Sequence, residues 1–201
     1  LLDDLASFMR LPAYQNIRVN VEERTSHELV ERVRDGAASL GVCWDNVELG
    51  GLQSRPWRED RLVLAVHPEH PLAKRRTIAF EETLDYEHVG LPTSTAVHTM
   101  LRQSAARSGR TVAYRAVVST LDAAFRVVAA NLGISVVPQE VSNTYRRILD
   151  VHTIPLTDAW ARRRFIVCFR AFDTLQPAAQ RMVEHLVERA AQKKRGAKSD
   201  A

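Results

Sequence analysis

Apolar and polar positions alternate along this chain in two periods, and the switches between them outline its elements. Leu1, Leu5, Phe8 and Met9 recur at helical spacing until Pro12, predicting a helix with one apolar face. Ile17 to Val21 alternates apolar and polar, the pattern of a strand with one buried face. Thr25-Ser-His-Glu28 then reads as a capping box, with Leu29, Val30 and Val33 as the buried stripe of a helix ended by Gly36. Leu40 to Trp44 reads as a strand. Leu62 to Val66 is a nearly continuous apolar run stopped by His67-Pro68, the mark of a strand covered on both faces.

The middle repeats the alternation. His88 to Leu91 predicts a short strand, and Pro92-Thr-Ser-Thr95 opens a helix to about Arg107, closed by Ser108-Gly109. Ala113 to Val118 is a strand leading into Ser119-Thr-Leu-Asp122, a second capping-box-like start. The helix that follows, Ala123 to Ala130, is apolar nearly all round and is expected to be deeply buried before Gly133 ends it. Ile134 to Val137, Val151 to Ile154 and Phe165 to Phe169 predict strands, and a long helix begins near Pro177. This alternation predicts an α/β chain with mainly parallel sheets. About eight or nine strands divide more naturally into two small sheets than one. Crossovers are expected near Leu62 to Val66 and near Val141 to Asp150.

Composition narrows the function classes. The chain has 201 residues, 45% hydrophobic and 26% charged, an ordinary globular balance. No apolar run reaches the roughly 18 to 20 residues of a membrane span, and two early aspartates, Asp3 and Asp4, argue against a signal peptide. A cytoplasmic chain is expected. Most of the net charge of +4 gathers in the last ten residues, which carry +3: Lys193, Lys194, Arg195 and Lys198 face only Asp200. A basic tail of this kind is not the stripe on a folded face that nucleic-acid readout requires.

Three hydroxyl-rich helix starts follow strands: Thr25-Ser26, Thr93-Ser94-Thr95 and Ser119-Thr120. A helix amino end presents unpaired amides and a partial positive charge, and hydroxyls add neutral donors, a combination suited to a small carboxylate. Ser and Thr also cap helices everywhere, so each position has a plain structural reading as well. Trp44, at the end of its strand, is placed to wall such a site, with Asp45 or Asn46 as weaker polar selectors. Enzyme signatures are missing: no GxSxG elbow, no GxxxxGK[ST] loop, no HExxH and no GxGxxG. His67 and His70 form one close histidine pair without further obvious metal ligands, so no metal and no cofactor is expected. Cys43 and Cys168 sit inside apolar strands, where buried inert thiols are expected.

Several stretches resemble one family. Val19 to Gly36 followed by Leu40-Gly-Val42 is similar to the first lobe of LysR-type transcriptional regulators, and Leu62 to Leu72 to their crossover strand and histidine-proline loop. Ser119 to Pro138 resembles their most recognisable effector-domain segment, and Phe165 to Leu186 also fits. The resemblance implies two Rossmann-like lobes around an interlobe cleft, similar to type 2 periplasmic binding proteins, with a small-molecule effector in the cleft. The expected division is residues 1–63 with 147–190 for lobe I, 64–146 for lobe II, and a basic disordered tail over 191–201. By position, Thr25, Ser26, Trp44, Pro92, Thr93, Ser94, Thr95, Ser119 and Thr120 match effector contacts. The resemblance further implies a homodimer or tetramer, with Leu5, Phe8 and Met9 as dimer contacts. DNA would be reached only through a winged helix-turn-helix that this sequence does not contain, and the first strand of lobe I is likewise missing from it. The alternative is a solute-binding protein of a transport system, which shares the fold.

Overall fold

A computed structural model describes residues 1–199, with side chains described as far as residue 192. In chain order the elements of the first half are α1 (Leu2–Met9), α2 (Ser26–Arg34), β1 (Leu40–Trp44), β2 (Gln53–Val66), α3 (Phe80–Thr83), β3 (His88–Gly90) and α4 (Ala96–Arg107). They are followed by β4 (Tyr114–Val117), α5 (Leu121–Ala129), β5 (Ser135–Pro138), α6 (Gln139–Tyr145), β6 (His152–Pro155), β7 (Arg162–Phe169) and α7 (Pro177–Ser199). The chain divides into unit 1, Leu1–Glu59 with Arg164–Ala201, and unit 2, Asp60–Arg163. Both divisions fall inside strands, β2 and β7, whereas residues 139–145, within reach of the expected second crossover, form α6. The tail expected over 191–201 begins within α7. Its Lys193, Lys194, Arg195 and Lys198 side chains, and residues 200 and 201, lie outside what is described.

In unit 1, β1 runs antiparallel to β7, with Leu40 opposite Phe169 and Val42 opposite Val167. Because side chains alternate across a strand, these four face one layer, packed with Leu5, Phe8, Met182, Val183 and Leu186 of α1 and α7. The intervening positions face α2: Cys43 and Cys168 pack with Val33 and Leu29, and a Cβ on Gly41 would meet the Leu29 side chain at 2.2 Å. The two thiols are free, buried and 4.0 Å apart. One ladder therefore carries helices on both faces.

Unit 2 is built on the apolar end of β2, which pairs antiparallel with β5 and with β6. Leu62, Leu64 and Val66 enter one cluster, while Val63 and Ala65 enter another, so both faces are covered as the unbroken apolar run predicts. Strands β3 and β4 are parallel, His88 opposite Tyr114 and Gly90 opposite Val117. The expectation of mainly parallel sheets thus needs correcting. The long strand β2 passes from one unit to the other, so its neighbours are reached in the antiparallel sense.

Two further expectations change. Ile17 to Val21 forms no strand, since no described strand pairs with the segment, and Val19 and Val21 are 38% and 46% exposed. Helix α5 has one buried face, not an apolar surface all round. Ala124, Phe125 and Val128 point inward, while Asp122 and Arg126 pair across one outer turn at 2.9 Å.

Gly133, after α5, holds β3 in place. Its φ is +149°, and a Cβ there would lie 3.0 Å from the Glu87 carbonyl oxygen. The next amide, Ile134, donates to that same oxygen at 3.0 Å. Gly133→Ala is expected to lower stability by about 1–3 kcal/mol, read as a reduced urea midpoint at unchanged slope. A midpoint equal to the parent's would show that this close approach relaxes freely.

Candidate functional site

The parallel pairing of β3 and β4 brings two of the predicted helix starts together. Val118 N–H donates to the Gly90 carbonyl at 2.9 Å, so the strands end side by side. From that edge Leu91 leads through Pro92–Thr95 into α4, and Val118 through Ser119–Thr120 into α5. Gly90 lets the chain pass over the Tyr114 ring, which a Cβ would meet at 2.6 Å. Ser135 Oγ donates to the Val89 carbonyl at 2.8 Å and ties β5 to the same edge.

Capping divides the hydroxyls into two groups. Thr95 Oγ1 accepts from His98 N–H at 3.2 Å and donates to the Pro92 carbonyl at 2.8 Å. Thr120 Oγ1 accepts from Ala123 N–H at 3.2 Å. These two side chains hold the helix starts in shape. Thr93, Ser94 and Ser119 are exposed and take no part in caps, which leaves their hydroxyls for a ligand. The first turn of α4 carries no carboxylate, whereas Asp122 sits in the first turn of α5. The hydrogen bond from Arg126 holds Asp122 below the usual carboxylate range and partly offsets its charge. The α4 start is thus the more hospitable of the two to an anion.

In unit 1 the situation is different. Thr25 forms the predicted capping box: its Oγ1 accepts from Glu28 N–H at 3.4 Å, and Glu28 accepts from Thr25 N–H at 3.0 Å and from Thr25 Oγ1 at 2.9 Å. The hydrogen bond from the Thr25 backbone lowers the pKa of Glu28, so the α2 start already carries its own anion. Ser26 is half-buried in the first turn. Trp44 is half-buried at the end of β1 with its ring edge-on to Phe165, centroids 6.4 Å apart. Asp45 pairs with Arg164 at 2.7 Å, and Asn46 is exposed.

The predicted dimer contacts divide as well. Leu5 and Phe8 turn into the unit 1 core against α7, and Met9 is half-buried. His67 and His70 act as acceptors within their own loop, from Glu69 N–H and Leu72 N–H, both at 3.2 Å.

Two features had no sequence signal. His98 in α4 stacks on Tyr114 in β4, centroids 5.4 Å apart, and the buried His98 Nδ1 and Tyr114 Oη have no hydrogen-bond partner among the described residues. Only the register of β3 against β4 makes these rings neighbours. The second is a cavity of about 560 Å³ within unit 1, lined by Leu5, Ile17, Leu29, Leu40 and Met182 among others, and by none of the nine predicted effector contacts.

A model of the LysR substrate binding domain matches residues 5–191. The chain belongs to the LysR substrate-binding domain family. The uncharacterised HTH-type transcriptional regulator YbhD of Escherichia coli (strain K12) is 26% identical over 174 residues, 87% of this chain and 55% of that protein. The chain thus spans little more than half the length of this curated relative, and 61% of another, the RuBisCO operon transcriptional regulator of Allochromatium vinosum. Among solved structures, the BenM effector binding domain with its effector benzoate superposes with a TM-score of 0.78 at 20% identity, covering 96% of this chain and 87% of that one. The regulatory domain of Synechocystis PCC6803 CcmR in complex with 2-PG gives 0.80 at 18% identity, covering 94% and 90%. This LysR substrate-binding domain has the α/β fold of those effector-binding domains, similar to type 2 periplasmic binding proteins. No helix among its described residues is long and apolar enough to cross a membrane.

Proposed function

We propose that the chain is the effector-sensing domain of a LysR-type transcription regulator and that it takes a small carboxylate at the paired β3 and β4 edge. The family match over residues 5–191 supports the regulatory reading. The observation that supports the site is the juxtaposition of two helix starts, with three hydroxyls uncommitted to caps and no carboxylate in the first turn of α4. Thr93, Ser94 and Ser119 donate to the ligand. Thr95 and Thr120 shape the loops, and Pro92 stiffens the approach to α4.

The domain performs no chemistry of its own in this reading. A ligand shifts a conformational equilibrium only by its differential affinity for two states, typically about 1 to 3 kcal/mol of coupling. A homodimer or tetramer in the cytoplasm then carries that bias to DNA-binding domains. A transport solute-binding protein shares the fold, but the curated relatives are named as regulators, which favours the first reading.

The test is a thermal-shift panel of small organic acids, with benzoate and shikimate included, against the parent and the Thr93→Val/Ser119→Ala variant. A binder at a hundredfold excess over its dissociation constant stabilises the parent by about 2.7 kcal/mol. Loss of two hydroxyl donors is expected to weaken its affinity about tenfold or more without lowering the ligand-free Tm. Equal affinity in parent and variant would remove the site from this edge.

A further inference from the structure

Cys43 and Cys168 are the two cysteines of the chain, 125 residues apart, and the β1 and β7 register brings them onto one face. Cys43 stands opposite Ile166 and Cys168 opposite Gly41, so they are diagonal neighbours on the side that α2 covers. The Cys43 S–H donates to Cys168 Sγ at 4.0 Å, and the residues are 3% and 0% exposed. They pack in an apolar cluster with Val33 and Leu29 of α2 and with Ala38, Val47 and Leu49. Burial alone predicts inert thiols, but two buried sulfurs that face each other form a soft ligand pair. Their separation decides which chemistry suits them. A disulfide needs its sulfurs at about 2.05 Å and its Cα atoms within about 7 Å. Diagonal neighbours on antiparallel strands stand about 7–8 Å apart, so closing that bond would drag the backbone. A bridging metal ion requires no such movement. With metal–sulfur bonds of about 2.3 Å, sulfurs 4.0 Å apart subtend about 120° at the metal, and about 0.6 Å more makes the arrangement linear.

We propose that Cys43 and Cys168 together bind one copper(I) ion in the layer between the β1 and β7 ladder and α2. Soft sulfur ligands select copper(I), zinc and iron–sulfur clusters. Zinc takes four ligands, or three and a water, and among the described residues no group of three or more His, Cys, Asp or Glu could hold a metal ion. Clusters likewise need more than two ligands. Magnesium and calcium require oxygen. Copper(I) remains, and charge supports its single positive valence. The pair sits among apolar side chains, where an uncompensated charge is costly. Binding therefore exchanges one copper(I) for one proton. A copper–sulfur bond forms at each sulfur, one S–H bond breaks, and its proton leaves to solvent without electron transfer. The product, one thiolate, one thiol and copper(I), is neutral. Helix α2 closes the site against water: a Cβ on Gly41, opposite Cys168, would meet Leu29 at 2.2 Å and Val33 at 3.2 Å. None of these residues belongs to the β3 and β4 edge, so the copper site stands apart from the effector reading.

The experiment titrates copper(I) anaerobically into the purified chain against a chromogenic copper(I) chelator, and follows Tm, proton release and X-ray absorption. One copper(I) per chain is expected, with one proton released and sulfur alone in the first coordination shell. Saturation is expected to raise Tm by about 5 °C or more. Zinc(II) should neither raise Tm nor displace the copper. Cys43→Ala and Cys168→Ala should each lose the stoichiometric binding, while the Thr93→Val/Ser119→Ala variant should bind as the parent does. Failure of the parent to bind, nitrogen or oxygen in its copper shell, or equal affinity in either alanine variant overturns the proposal. Stoichiometry and shell are read on the parent, so misfolding of a variant does not protect the proposal. Release of two protons overturns the neutral-complex assignment. Copper held between two chains, seen as a copper-dependent dimer in sedimentation velocity, overturns the site within one chain. Quantitative formation of a Cys43–Cys168 disulfide in air overturns the spacing argument on which it rests.

Discussion

Asp4→Ala is expected to cost about 3–5 kcal/mol of stability. Asp4 lies in the first turn of α1, yet its side chain is wholly buried, with Oδ2 accepting from Arg58 at 2.5 Å and Oδ1 3.6 Å from Arg189. Arg58 is itself only 10% exposed and lies over the Trp57 ring, 4.6 Å from its centroid. Alanine would remove one member of this buried pair, and breaking a buried pair from one side is the costly change. Surface pairs such as Arg75 with Glu82 and Arg110 with Asp85, with substantial exposure on each side, contribute at most about 1 kcal/mol each. The pair is therefore expected to behave unlike its surface counterparts in urea titrations. Asp4→Leu combined with Arg58→Met should recover most of the loss, because two apolar side chains carry no desolvation penalty. A single Asp4→Ala variant within 1 kcal/mol of the parent would contradict this account.

Local chemistry was legible in the sequence wherever one short stretch sufficed to specify it. The capping box at Thr25 and Glu28 forms both of its hydrogen bonds, and the hydroxyls at Thr95 and Thr120 cap their helices as their positions suggest. The apolar run Leu62 to Val66 is covered on both faces. Features that depend on a distant partner were not legible. Asp4 and Arg58 are 54 residues apart, and an aspartate in a first helical turn looks like an ordinary dipole complement. Alternation at Ile17 to Val21 records a capacity to pair, while strand formation also requires a neighbour in the adjacent lane. The stripe at Leu5 and Phe8 correctly marks an apolar face, but periodicity does not say whether α7 or another subunit covers it.

The candidate site follows the same rule. Sequence identifies hydroxyls at helix starts without telling which of them the caps consume. Distances make that division, setting Thr95 and Thr120 apart from Thr93, Ser94 and Ser119. The β3 and β4 register then shows why two starts widely separated in sequence share one edge. It also explains the neighbouring rings of His98 and Tyr114, which no spacing within either element announces.

Acid is expected to weaken this domain through His88. The imidazole in β3 is buried, and burial pushes its pKa down from 6.5 to about 4. Its Nε2 lies 3.1 Å from the Thr83 carbonyl, which fits a neutral ring with the proton on Nε2, while Nδ1 has no partner among the described residues. Protonation would place a second N–H on Nδ1 with no acceptor, beside the rings of Phe80 and Tyr114. The folded-state pKa is the lower one, so between pH 6.5 and 4 the unfolded chain binds more protons, and stability falls as pH falls through that window. The stabilisation is fully present above pH 6.5 and declines by about 2–3 kcal/mol on approaching pH 4. His70 and His185 also have pKa values lowered by burial and add a slope of the same sign. His88→Gln isolates the buried ring, since it retains an amide donor for Thr83 without titrating. Urea unfolding of both proteins from pH 7 to 4.5 should show the parent losing stability faster, with the gap widening as pH falls. Parallel curves would assign the acid sensitivity elsewhere. Because Gly90 follows His88 by two residues, any opening at the imidazole also loosens the edge that carries Thr93 and Ser119. Ligand affinity at that edge is accordingly expected to fall over the same pH window in the parent and to fall less in His88→Gln.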